Sequence, residues 1–119
     1  MSKHVLLVFT DPQPGREEEF NAWYDEVHLP DVLGVPGYTA AQRFVARTGL
    51  HDEVPEHRYV AVYEIDEEDL PTALSNLREG LARAELSGAM APALVTYGYT
   101  AVADRMTAAE ARSVRERNR

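Results

Sequence analysis

The chain has 119 residues, no cysteine and a formal net charge of −8 at pH 7. That length suits one domain around a single hydrophobic core, and the missing cysteines exclude disulfides, thiolate metal sites and a cysteine nucleophile. The acidic balance argues against a nucleic-acid partner, which would need a basic face.

Val5 to Phe9 is a continuous apolar run that reads as a strand buried on both faces. It is too short for a signal-peptide core or a membrane span, so no membrane partner and a cytoplasmic location are expected. Asp11 to Gly15 is a cluster of chain breakers. Arg16 to His28 then has helical spacing, with Phe20, Trp23, Tyr24, Val27 and His28 on one stripe and Glu17 to Glu19 in the first turn. Pro30 is expected to end this helix near His28, because the residue before a proline avoids helical angles. Asp31 to Val35 fits one further helical turn, and Pro36-Gly37 fits the centre of a type II turn.

Tyr38 to Arg47 reads as a strand, Thr48 to Glu56 as a polar connection, and Arg58 to Ile65 as a strand rich in valine and tyrosine. Asp69-Leu70-Pro71 opens a second helix, with Leu70, Leu74, Leu77 and Leu81 as its apolar stripe. Ser87 to Pro92 is loop-like, and Leu94 to Ala103 is a last strand. Thr107 to Glu110 matches a capping box, which predicts a helical, arginine-rich tail.

The predicted order of strand, helix, strand, strand, helix, strand is the split βαβ pattern. The fold class is therefore α+β and ferredoxin-like, one antiparallel sheet with both helices on one face. The expected division is a domain over residues 1–104 and a tail over residues 105–119. The apolar runs predict that the other sheet face is dry too, and a homodimer through that face covers it most simply.

His28 is the sharpest candidate for chemistry, since histidine is the usual proton shuttle near neutral pH. From spacing alone it reads more readily as a structural side chain at a helix end. Asp25 and Asp31, three residues to either side, are placed to orient its ring. Tyr24 shares its stripe, either as a catalytic phenol or as a core aromatic, and Trp23 reads as packing or a pocket wall. Tyr59 and Tyr63 share one strand face, and so do Tyr97 and Tyr99; each pair lines either a pocket or a dimer interface. Arg43 holds an anionic group or, more simply, pairs with a surface carboxylate. His51, Asp52, Glu56 and His57 have no recognised metal-ligand spacing and read as a solvated loop. There is no phosphate-binding glycine loop and no nucleophile elbow.

The stretch Phe20-Asn21-Ala22-Trp23-Tyr24-Asp25-Glu26-Val27-His28-Leu29-Pro30, with Pro36-Gly37-Tyr38 and Arg43-Phe44 after it, resembles the dimeric α+β barrel superfamily. Within that superfamily it resembles the EthD-like group, named for ethyl tert-butyl ether degradation. The resemblance implies two sheets packed face to face and a pocket between helices and sheet in each protomer. It also implies a range of activities: cofactor-free monooxygenases, lactone isomerases, polyketide cyclases and haem-binding enzymes. The resulting expectation is a dimeric enzyme with no cofactor and no metal, acting on an apolar or aromatic small molecule by proton transfer or oxygenation. His28 and Tyr24 would be catalytic, and Trp23, Asp31, Arg43, Tyr63 and Tyr97 would bind substrate. The alternatives are a non-catalytic binder of hydrophobic metabolites on the same fold, and a haem-utilising protein with a histidine ligand.

Overall fold

The computed structural model describes residues 3–84 and 86–119. The strands are β1 (Lys3–Thr10), β2 (Tyr38–Val45), β3 (Tyr59–Asp66) and β4 (Val95–Thr100). They form one antiparallel sheet in the order β2-β3-β1-β4. The helices are α1 (Glu17–Trp23), α2 (Leu29–Leu33), α3 (Leu70–Gly80) and α4 (Ala108–Arg117). This is the ferredoxin-like α+β arrangement that the element order predicts.

Strand alternation divides the sheet into two unlike faces. His4, Leu6, Val8 and Thr10 pair with Ile65, Tyr63, Ala61 and Tyr59, and all eight turn toward the helices. With Phe20, Tyr24, Val32, Val35 and Ala73 from the helical layer they make the core. Val5, Leu7 and Phe9 point the other way, beside Val60 and Val62 of β3 and Val95, Tyr97 and Tyr99 of β4. This face is left partly open: Tyr97 and Tyr99 are 53% and 56% exposed. Tyr59 and Tyr63 thus belong to the helix side and Tyr97 and Tyr99 to the open side.

The helix does not stop at His28. Tyr24–His28 forms a π-helical segment that joins α1 to α2 without a break. The Leu29 N–H reaches back five residues to the Tyr24 carbonyl, and Leu29 keeps helical angles, φ −59° and ψ −46°. In an ordinary α-helix the Pro30 ring would crowd the carbonyl four residues earlier and remove an N–H from the ladder. The wider π-turn carries the chain past that obstacle. The extra residue also rotates the stripe, which leaves Val27 46% exposed rather than in the core.

Geometry calls for glycine at positions 37 and 98. Gly37 has φ +95°, the left-handed position that the Pro36-Gly37 turn demands. At Gly98 a Cβ would lie 2.6 Å from Leu70 Cδ2, so the glycine lets α3 settle on β4. Asp69 caps α3 by accepting from the Thr72 N–H at 2.8 Å, and this bond holds its carboxyl below the usual range. A depressed carboxyl stabilises the fold above its unfolded pKa, and the effect fades as pH falls through the lower folded value. Asp69→Ala is therefore expected to lower the urea midpoint at neutral pH, and by less in acid; equal loss at both would remove the cap from the account.

The tail is helical, as the capping box predicts: the Thr107 hydroxyl oxygen accepts from the Glu110 N–H at 3.1 Å. No residue of α4 is buried.

Candidate functional site

The helical layer presents a run of aromatic rings to the sheet. Phe20 and Tyr24, fully buried, meet edge to face at 5.5 Å, and Trp23 meets Tyr24 at 5.4 Å. His28 stacks on Trp23 with ring centroids 4.8 Å apart and planes 21° apart. That contact spans five residues, the neighbour spacing of a π-turn rather than of an α-helix. His28 also meets Tyr24 at 5.0 Å with nearly perpendicular rings.

The half-buried imidazole has its pKa lowered, chiefly by desolvation of the charged form; the nearby Asp31 carboxylate opposes this and does not prevail. Neither ring nitrogen bonds to a described residue, and neither is sealed from solvent. Burial thus favours the neutral imidazole, and the ring packs against Trp23 and Tyr24. Asp25 does not orient it. Its carboxylate turns instead to Arg43, because the π-turn shifts the two residues to different sides of the helix.

Arg43 lies on the helix face of β2, opposite Ala61, with a side chain only 11% exposed. Its guanidinium sits over the Tyr24 ring at 4.4 Å, with Tyr59 at 5.1 Å and Phe20 at 5.4 Å. One Nη donates to Asp25 Oδ1 at 3.0 Å and the other to Asn21 Oδ1 at 2.8 Å. The pairing with a surface carboxylate was expected; the aromatic cage and the burial were not. Asn21 Nδ2 donates in turn to the Tyr59 hydroxyl at 3.2 Å, and that hydroxyl donates to Glu17, which also receives Arg58. Glu17, Asn21 and Asp25 recur every four residues. This polar stripe beside the aromatic one was the signal in the sequence for Arg43's partners.

Tyr63 is opposite Ala41, two residues along β2 from Arg43 and on the same face. Burial pushes the Tyr63 phenol far up, helped by the neighbouring Tyr24, and it pushes Tyr24 up as well. Tyr38 is raised to about 12 by the same cause. All three stay protonated near neutral pH and act as O–H donors. Tyr38 spends its proton on the Ala73 carbonyl at 2.9 Å.

An open cleft between the helical layer and β2 reaches Asn21, Asp25, Leu29, Arg43, Phe44 and Tyr59. Of the side chains singled out from the sequence, Asp25, Arg43 and Tyr59 line it, and Tyr24 and Tyr63 stand behind Arg43. Trp23, His28 and Asp31 gather on the helical layer. Tyr97 joins neither group: strand alternation sets it opposite Leu7, on the other side of the sheet. His57 is not a solvated loop residue as expected, since its Nδ1 meets Asp11 Oδ2 at 2.6 Å against the Phe9 ring. His4 is buried and structural, its ring nitrogens meeting Thr100 Oγ1 and the Glu67 carbonyl. Among the described residues no group of three His, Asp or Glu side chains is arranged to hold a metal ion. No described helix is long and apolar enough to cross a membrane.

No protein-family model and no curated protein matches the sequence. Solved structures do. An ethyl tert-butyl ether degradation (EthD) family protein from Bacillus halodurans C-125 is 15% identical, with a TM-score of 0.52, over 89% of this chain and all of that one. A DABB family protein with a ferredoxin-like fold, from Mesorhizobium loti, is 6% identical with a TM-score of 0.60, over 87% of this chain and all of that one. A dimeric ferredoxin-like protein of unknown function from Thermobifida fusca is 17% identical with a TM-score of 0.50, over 84% and 92% of the two chains. At these identities the likeness establishes the shared fold.

Proposed function

We propose that this chain is a small dimeric enzyme of EthD-like type that acts on an apolar or aromatic small molecule by moving a proton, with no bound cofactor. One observation carries the reading. His28 is a part-buried imidazole whose burial favours the neutral form, which packs against Trp23 and Tyr24 and whose two nitrogens have no hydrogen-bond partner among the described residues. A structural histidine spends its nitrogens on the protein, as His4 does here. A general base keeps one free and uncharged near neutral pH.

In this reading His28 takes a proton from carbon next to a carbonyl, or from a phenolic hydroxyl. Trp23 is the wall on which an aromatic ligand rests, and Asp31 tempers the fall of the imidazole pKa. Tyr24, Tyr63 and Arg43 supply donors to the charge that develops. A second copy of the chain covers the open sheet face, as the Thermobifida fusca protein's description as dimeric supports for this fold.

The test is exchange of the α-hydrogens of 2-tetralone, an enolisable aromatic ketone, into deuterated water at neutral pH. The protein is expected to accelerate exchange at least about 100-fold over free imidazole at equal concentration, the span usual for a positioned general base. Ligand binding with no acceleration would favour the alternative, a protein that binds hydrophobic metabolites without transforming them.

A further inference from the structure

Arg43 Nε and the Tyr63 hydroxyl are both buried, and neither has a hydrogen-bond partner among the described residues. The Tyr24 hydroxyl lies within hydrogen-bonding reach of the Tyr63 phenol and bears on its pKa, but the pair falls short of full hydrogen-bond geometry. Folded proteins leave very few such groups unpaired, and an orphan calls for an explanation. Here there are two, on one face of the sheet: Arg43 is opposite Ala61 and Tyr63 opposite Ala41, diagonal neighbours across adjacent strands.

Their chemistry is alike. The Nε–H of a guanidinium only donates, and a tyrosine hydroxyl has a proton to give. The guanidinium cannot turn to relieve its orphan. Asp25 and Asn21 hold its two Nη atoms, and the Tyr24, Tyr59 and Phe20 rings enclose it. Each of the two groups would be satisfied by an acceptor oxygen, more so if that oxygen carries negative charge.

Resting on the small-molecule reading above, we infer that Arg43 and Tyr63 form a receptor for an acceptor oxygen on the aromatic ligand: a carbonyl, an enolate or a phenolate. Tyr24 links the two halves of the site. Its ring bears on the Arg43 guanidinium at 4.4 Å and on the His28 imidazole at 5.0 Å. An oxygen bound at the donors would stabilise the oxyanion that forms when a base removes the neighbouring proton. The substrate class narrows accordingly, from apolar or aromatic molecules to those bearing a ketone or phenol oxygen.

The experiment compares 2-acetylnaphthalene with 2-ethylnaphthalene, alike in shape except for the oxygen. Binding is followed by NMR titration of the wild type and of Tyr63→Phe, with the Arg43 Nε–H signal as a direct reporter. The ketone is expected to bind the wild type at least about tenfold more tightly than the hydrocarbon, because a site built of donors rejects a ligand that leaves them unpaired. The Nε–H signal should move with the ketone alone. Tyr63→Phe should erase most of the preference, leave hydrocarbon affinity unchanged and not lower the unfolding midpoint, since the hydroxyl it deletes has no protein partner. Equal affinity of the two probes for the wild type would overturn the inference and leave the proposed function standing. So would a Tyr63→Phe protein that unfolds earlier yet keeps the preference, the behaviour of a hydroxyl tied to an internal water. Failure of both probes to bind would refute the aromatic pocket and this receptor together.

Discussion

The wild type is expected to form a dimer of twice the 13.3 kDa chain mass, and Leu7→Asp a folded monomer. Leu7 is on a central strand of the open face, with Val62 on one side and Tyr97 on the other. Because it turns away from the helices, a carboxylate there leaves the core of Leu6, Tyr24 and Tyr63 intact. In a face-to-face dimer each copy would bury that carboxylate without a partner, at a cost of several kcal/mol. Dissociation should therefore be favoured at least ~100-fold. Light scattering at micromolar concentration reads the difference. A wild type that is already monomeric, or a Leu7→Asp protein that stays dimeric, would reject the sheet face as the interface.

His28→Gln is the second large effect. Glutamine keeps a donor and an acceptor and fills a similar space, but it cannot exchange a proton near neutral pH. The substitution should slow 2-tetralone exchange at least ~100-fold while ketone binding is retained. His28→Ala should have the same kinetic effect and cost little stability, because the imidazole nitrogens bond to no described residue; what it loses is the stack on Trp23. A purely structural histidine predicts the reverse, near-normal exchange in the glutamine variant and a loss of about 1–3 kcal/mol in the alanine variant.

The fold was legible from the sequence because hydrophobic periodicity and turn chemistry agree along most of the chain. Val5 to Phe9, the Pro36-Gly37 turn and the Asp69 cap each mark an element that the structure contains. The helix across Pro30 was not legible. The proline rule is local, whereas the π-turn that overrides it is held by the packing of Phe20 and Tyr24 on the sheet. The tyrosine faces were half legible. Spacing pairs Tyr59 with Tyr63 and Tyr97 with Tyr99, but only the register with β1 assigns the pairs to opposite sides. The role of Arg43 needed three dimensions as well, because its cage comes from β3, α1 and the π-helical segment together.

The central claim, that His28 is a desolvated neutral base, is tested most directly by its own titration. Four histidines are present, and the His28 ring signal is identified by its absence from the spectrum of the His28→Gln protein. The midpoint is expected clearly below the ordinary 6.5, because burial disfavours the imidazolium more than Asp31 favours it. The unfolded chain then takes up the proton first. Relative to His28→Gln, wild-type stability should fall as pH drops from 6.5 toward that lower midpoint and level off beneath it. A midpoint at or above 6.5 would mean that burial does not disfavour the imidazolium and would contradict the account.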